Sequence, residues 1–361
     1  KRCYTDVIAS VERVLPKDGC VRVHPLDDYY PAGDEFLTVY DVTGRVIPEG
    51  GLPPDVGAVV FNVLTLAQIA HAVSGKAVTE RLLTVCGSVR EPRVVEAPIG
   101  TSYADLISAA GGTLNDDDVL LDGGPMMGTL IRDPGLGIGR TTSAVLALPA
   151  DHLVIRQRKI TPNQMVKRSK AACCQCFRCT DLCPRYLLGH NLQPHLTMRT
   201  LDYGILDADA VTSAFLCSQC GVCELVACDA MLLSPRRILA DIKKALQHRG
   251  VKNPHHGVPV SPRSGIGDRR ISSSTLRKRI GVAAYVKETP FQGGYQPRLV
   301  RVPLNRHAGA AAGACVTAGT RVRMGERIGL PPPDQLGASV HASIAGRVSE
   351  VNEEWVEIRA T

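Results

Sequence analysis

The sequence predicts a multidomain chain of α/β plus α+β class. Three observations predict it. Near the N-terminus, short apolar runs of strand type alternate with apolar residues at helical spacing. In the middle, two blocks of closely spaced cysteines sit in otherwise helical text. Near the C-terminus, short alternating segments are separated by glycine turns. With 361 residues the chain can bury a sizeable core and should hold about two to four domains. Apolar residues make up 44%, and no run approaches about eighteen of them, so no membrane span is expected. Residues 1 to 20 lack the order of a secretion signal, and the odd, scattered cysteines outside the two blocks are what a reducing cytosol permits, so a cytoplasmic setting is the expectation.

In chain order, Val7, Ile8, Val11, Val14 and Leu15 give residues 2 to 15 the period of a helix, which Pro16-Lys17-Asp18-Gly19 should end. Residues 20 to 24 and 58 to 62 read as strands, the second as a near-continuous apolar run suited to a buried parallel sheet. A helix follows from about Thr65 to Ser74. Two small constellations stand beside these elements, Tyr29-Tyr30-Pro31-Ala32-Gly33-Asp34-Glu35 and Asn62-Val63-Leu64-Thr65. On spacing alone each is a turn with a helix cap, Thr65 being a candidate cap. Strands are expected at 81 to 86 and 93 to 97, and a helix at 103 to 110 before Gly111-Gly112. Asp116-Asp117-Asp118 reads as a solvated turn.

The densest chemistry lies between residues 173 and 228. Cys173-x2-Cys176-x2-Cys179-x3-Cys183-Pro184 is followed, with Cys217 thirty-three positions beyond Pro184, by Cys217-x2-Cys220-x2-Cys223-x4-Cys228. Three cysteines at successive i, i+3 spacings converge their thiolates on one small volume, which suits three corners of a 4Fe-4S cluster. Zinc would use two pairs and leave the third cysteine of each triplet idle. Disulfides need an oxidising compartment, and tight x2 triplets frame them poorly. In bacterial two-cluster proteins the cysteine before the proline ligates the other cluster. Carried over to this chain, one cluster takes Cys173, Cys176, Cys179 and Cys228, and the second takes Cys217, Cys220, Cys223 and Cys183. Of the other cysteines, Cys174 adjoins a ligand without the x2 spacing and reads as a spare thiol. Ser234 and Pro235 open a helix whose face carries Ile238, Leu239, Ile242 and Leu246. His190 and His195 fall in a connecting loop, where an exposed polar role is expected.

The net charge of +7 is uneven. From Arg236 to Arg306 sixteen Lys or Arg stand against three Asp or Glu, net +13. With few aromatics and no nucleic-acid motif around it, the block reads as a solvated face first and a docking surface for an acidic redox partner second, not as a nucleic-acid site. Residues 250 to 275 are rich in Pro, Gly, Ser and Arg and read as a linker or mobile loop.

Tyr30-Pro31-x-Gly33-Asp34-Glu35, Gly44-Arg45-x2-Pro48, Gly51-Leu52-Pro53-x-Asp55-Val56-Gly57, Asn62-Val63-x-Thr65, Gly123-Gly124-Pro125-Met126-Met127-Gly128 and the two cysteine blocks occur together in this order. The set resembles the C subunit of Rnf electron-transport complexes and the PduS-type cobalamin reductases of propanediol-utilisation microcompartments. The resemblance implies that Tyr30, Gly33, Asp34, Glu35, Asn62 and Thr65 contact flavin mononucleotide (FMN), which takes hydride from NADH. The family also carries, upstream, a glycine-rich segment with a lysine that faces NADH; these 361 residues hold no counterpart. The resemblance further implies a domain order. Residues 1-78 would form a partial Rossmann-like flavin/NADH domain without its N-terminal lobe, and 79-150 a β-grasp (SLBB-like) domain. Residues 151-249 would form a helical two-cluster ferredoxin module, 250-299 a basic linker, and 300-361 a barrel-sandwich hybrid. In the last, Ala342-Ser343-Ile344-Ala345 offers no lysine for a swinging arm. A barrel placed behind the clusters matches the cobalamin reductases, whereas the Rnf relatives carry it ahead of the flavin domain.

The activity implied is NADH-dependent cobalamin reduction, with single electrons passing through two 4Fe-4S clusters to cob(III)alamin and then cob(II)alamin. Implied partners are cobalamin or a corrinoid-handling enzyme, a microcompartment shell and an adenosyltransferase. His24, His190 and His255 are the histidines that could ligate cobalt, solvent-facing roles being the expectation. Two other readings stay open: an Rnf C-like adaptor that passes electrons to a protein without a substrate of its own, and a structural shell partner whose clusters are folding cores.

Overall fold

The computed structural model describes residues 1–16, 18–205 and 207–361. The chain divides into two compact units, each made of two stretches of sequence. One is 1–60 with 159–283 and the other 61–158 with 284–361. Among the described residues no helix is long and apolar enough to cross a membrane.

The first unit is mainly helical. Its N-terminal helix, Thr5–Val14, buries none of its residues. The Lys17 part of the predicted stop signal lies outside the described residues. The helix Glu35–Thr43 is started by Asp34, whose side chain accepts from the Phe36 and Leu37 amides, and stopped by Gly44 at φ 72°. It buries Phe36, Leu37 and Val39 beside Tyr29, Ile47 and Leu188. The predicted strand over 20–24 is absent, and that region is irregular backbone. Among the described residues, strand structure at this end is limited to Tyr29–Tyr30, which pairs with Ile271–Ser272. The segment expected to be a loose linker is therefore bound in place. The Gly257 amide donates to Glu49, Arg263 lies 4.2 Å over the Tyr186 ring, and Arg270 pairs with Asp41.

The helix Pro162–Ala172 starts in a capping box of Thr161 and Gln164 and leads straight into Cys173. The predicted helix after Ser234 is Pro235–His248, and Arg236 at its start pairs at 2.6 Å with the buried Glu224. Two small apolar cores flank the cysteines. Cys173 and Cys228 pack against Ile160, Met165, Met198, Leu233 and Ile238, whereas Cys183 and Cys217 pack with Leu192, Ala214, Leu216 and Leu239.

In the second unit the predicted strand over 58–62 is also absent, although residues 58 to 60 belong to the first unit. The helix that follows, Val63–Val73, is capped by Asn62 rather than Thr65, which lies inside it, and none of its residues is buried. A six-stranded sheet follows. The antiparallel pair Glu80–Gly87 and Arg93–Pro98 is flanked by a parallel neighbour on each side, Ala144–Leu148 and Phe291–Gly294. Val119–Asp122 and Thr129–Leu130 complete it. The alternation along Glu80–Gly87 turns Leu83 and Val85 into a core closed by Tyr103, Leu106 and Ile107 of the helix Tyr103–Ala109. Asp118 folds back on the Asn115 amide at 3.0 Å, so the aspartate run is a turn.

The C-terminal part packs two antiparallel sheets face to face. One orders Arg321–Val322, Gly346–Val351, Trp355–Ala360 and Leu299–Pro303; the other orders Gly313–Ala314, Arg327–Leu330 and Val340–His341. Val300, Val302, Ile328, Val340, Val356 and Ile358 fill the space between them. Gly100 carries φ 94°, and a Cβ there would come within 2.8 Å of Arg301 carbonyl carbon; with no side chain, its carbonyl accepts from the Arg301 amide at 2.8 Å.

Candidate metal centre in two thiol cavities

The two cysteine triplets sit on matching backbone. Each reads Cys-x-Gln-Cys-x-x-Cys, over 173–179 and 217–223. Gln175 and Gln219 adopt φ 54° and 59°, and Phe177 and Gly221 φ 69° and 84°. These left-handed residues turn the chain back on itself so that three side chains face one point. Phe177 tolerates the conformation while its ring packs 4.5 Å from His195 and 6.0 Å from Tyr186. The short helices Arg178–Asp181 and Val222–Leu225 then begin, carrying the third cysteine of each triplet.

The eight cysteines line two cavities. One is walled by Cys173, Cys176, Cys179 and Cys228 with Cys174, Phe177, His195 and Met198. The other is walled by Cys183, Cys217, Cys220 and Cys223 with Arg185, Leu192 and Leu239. Each triplet is thus completed by the fourth cysteine of the opposite block. The cavities differ in access: Cys174 and Cys176 are exposed, whereas Cys183 and Cys223 are buried.

All thirteen cysteines are free thiols, so the disulfide alternative has no support here. Hydrogen-bond donors are aimed at the sulfurs. Gln175 Nε2 donates to Cys173 Sγ at 3.3 Å and Gln219 Nε2 to Cys217 Sγ at 3.2 Å. The amides of Thr180, Val222 and Leu233 serve Cys179, Cys220 and Cys228, and those of Tyr186 and Arg185 serve Cys183. Burial first, and the neighbouring thiols second, push Cys179 up to about 12. Burial also pushes Cys217 and Cys228 up to about 11, and Cys183 and Cys223 higher still. Such thiols hold their protons at neutral pH unless cations replace them. Among the described residues no three His, Cys, Asp or Glu side chains could hold a single metal ion. Four thiols spread over a cavity wall, with N–H groups directed at sulfur, fit a cage of several irons better than one tetrahedral zinc with bonds of about 2.3 Å.

The two glutamines escaped the sequence reading, although the repeated Cys-x-Gln-Cys was there to be seen. The histidines need correction. His190 is buried, 1% exposed, with Nε2 2.9 Å from the Ile47 carbonyl and its ring edge against Phe36. Burial holds its pKa below the usual histidine range. His195 is half-buried, bonds Thr180 Oγ1 at 2.8 Å and lines the first cavity. His255 is buried as well, its Nε2 3.0 Å from Thr212 Oγ1, and His24 is exposed.

The residues marked for flavin divide between the two units. In the first unit Tyr30, joined to Pro31 by a cis bond, donates from its hydroxyl to the Cys220 carbonyl at 2.7 Å. Asp34 Oδ1 caps its helix and meets Arg185 Nη1 at 2.8 Å. Gly33 and Glu35 are exposed, and a Cβ on Gly33 would meet nothing within 4 Å. In the second unit Asn62 and Thr65 are exposed at the start of the Val63–Val73 helix, and Asn62 Oδ1 accepts from the Leu64 amide at 2.9 Å.

Comparison with known families agrees with this order of parts. Residues 1–71 match the Nuo51 FMN-binding domain, 82–130 the SLBB domain, 172–232 the 4Fe-4S dicluster domain and 282–360 the RnfC barrel sandwich hybrid domain. Fold and thiol cavities together define a flavo-iron-sulfur oxidoreductase of mixed α/β architecture. Among curated proteins the chain is 38% identical, over 99% of its length and 79% of theirs, to the cobalamin reductases PduS of Salmonella typhimurium and Citrobacter freundii. It is 32% identical over 52% of its length, and 40% of the relative's, to the C subunit of the Na(+)-translocating ferredoxin:NAD(+) oxidoreductase complex of Acetobacterium woodii. The chain belongs to the PduS cobalamin reductase family.

Proposed function

We propose that this chain carries single electrons from NADH-derived reducing equivalents to cob(III)alamin and cob(II)alamin, in the setting of a propanediol-utilisation microcompartment. In this reading Cys173, Cys176, Cys179 and Cys228 hold one 4Fe-4S cluster and Cys217, Cys220, Cys223 and Cys183 the other. The single observation that carries it is the crossed sharing of the cysteines between two separate cavities. When bound, flavin supplies conversion of a hydride pair into single electrons, and the clusters supply one-electron conduction.

The chain's own residues perform three tasks. The left-handed turns at Gln175, Phe177, Gln219 and Gly221 orient the thiols inward. Backbone and glutamine N–H groups stabilise negative charge on sulfur. Leu192, Leu239 and Met198 keep water from the cavity walls. Gly33 and Glu35, with Asn62 and Thr65, are the exposed groups that we assign to flavin; Tyr30 and Asp34 act there through the loop they brace. The finer division into a partial Rossmann-like domain (1-78), a β-grasp domain (79-150), a helical ferredoxin module (151-249), a basic segment (250-299) and a barrel-sandwich hybrid (300-361) belongs to the same reading, as do a shell protein or adenosyltransferase as partners.

The test is anaerobic turnover of flavin-loaded protein with NADH and hydroxocobalamin, followed by the visible spectrum of cobalamin. Reduction at catalytic rates, abolished by Cys220→Ser, is the expected result. Electrons that reach an added protein carrier but never cobalamin would replace this reading with the adaptor reading.

A further inference from the structure

The two thiol cavities differ in the charged side chains that wall them. The residues walling the Cys173, Cys176, Cys179 and Cys228 cavity include no charged side chain, Asp202 meeting Cys173 from outside that wall. The other cavity is walled in part by Arg185, two residues beyond Cys183. The Arg185 side chain is only 7% exposed, its guanidinium lies 3.5 Å over the Phe36 ring, and Nη1 meets Asp34 Oδ1, itself 10% exposed, at 2.8 Å. The loop bearing Asp34 is tied to the same cavity by the Tyr30 hydroxyl on the Cys220 carbonyl. Both members of the ion pair thus stand at this cavity, Arg185 in its wall and Asp34 on the loop bonded to it.

We propose that the Arg185–Asp34 pair is a positioning device that sets the reduction potential of the cluster held by Cys183, Cys217, Cys220 and Cys223, and leaves the other cluster untouched. Reduction adds one electron to a cluster and so one negative charge. A guanidinium in a poorly screened site stabilises the reduced form and raises the potential; a carboxylate at similar range lowers it. Asp34 holds Arg185 in place and cancels much of its pull. The Phe36 face and the Tyr30 bond fix the distance at which the two charges act.

The proposal rests on the two-cluster reading, and its test keeps the two apart. The protein is reconstituted anaerobically as the full chain, iron is counted, and each cluster is followed by EPR during a potentiometric titration; the signal lost in Cys217→Ser identifies the cluster concerned. Asp34→Asn keeps a helix-capping side chain and removes only the charge. It is expected to move that one cluster to a more positive potential. Adding Arg185→Gln in the same chain is expected to bring the potential back toward the starting value. About eight irons in Asp34→Asn with no shift, a negative shift, or an equal shift of both clusters overturns the tuning role alone. About four irons in the unaltered chain overturns both readings.

Discussion

Single side chains here act on sulfur through direction rather than through bulk. Gln219 donates to Cys217 Sγ from within the loop that presents it, and Gln175 does the same for Cys173. Hydrogen bonds to sulfur favour the reduced cluster. Gln219→Leu is expected to lower the potential of its own cluster and leave the other unmoved, as read by EPR-monitored titration. His190 offers a test by pH. Burial holds its pKa below the ordinary value, so the folded chain resists the proton that the unfolded chain accepts. The stability it protects is complete above the unfolded pKa of about 6.5 and falls as pH drops below it, toward the folded pKa. Denaturant midpoints taken from pH 7.5 to 5.5 should decline, and His190→Phe should flatten that part of the curve. Neither His190 nor the Arg185–Asp34 pair was legible in sequence, because each depends on a partner 143 or 151 residues away. The thiols were legible, because i, i+3 spacing fixes convergence locally.

Among elements, those defined by their own periodicity agree with the sequence and those needing a distant neighbour do not. The alternation of Glu80–Gly87 and the apolar face of Pro235–His248 both appear as read. The apolar run over 58–62 says only that the segment favours burial; a strand also needs a partner for its backbone, and none pairs with it among the described residues. The same holds for 20–24. Helices differ likewise in how they are held. Val63–Val73 buries no residue, whereas Pro235–His248 buries Pro235, Ile238 and Leu239. Amide hydrogen exchange should accordingly be faster through Val63–Val73, with protection of the other helix approaching the global value. The Pro235–His248 helix is further fixed by Arg236 on Glu224, whose side chain is 1% exposed. Arg236→Ala would strand that carboxylate, and a loss of about 3 kcal/mol in urea denaturation is expected.

At the scale of the molecule, part of the basic block that stood out in the sequence is paired within the chain. Arg236, Arg269, Arg270, Arg301 and Arg306 each pair with an acidic side chain. In the barrel, Glu357 lies between Arg301 and Arg359 with its side chain 5% exposed. Burial raises its pKa, but the bonds from Ser349 and Arg301 outweigh that and leave it lowered. The stability this adds is present above the unfolded carboxylate value of about 4.3 and is lost as pH falls through the folded one. The kinds of domain were legible through the motifs that carry the family resemblance; the return of residues 250 to 283 onto the first unit was not, since composition reports solvation and not destination.

In the reading proposed for this chain, two cages built from shared cysteines relay the electrons. The most direct test is the count of iron and acid-labile sulfide in anaerobically purified full chain, alone and with Cys183→Ser. The prediction is about eight of each per chain, with the variant losing only the EPR signal that Cys217→Ser also removes. Four irons or fewer, bound zinc, or loss in Cys183→Ser of the signal that depends on Cys176 would contradict it.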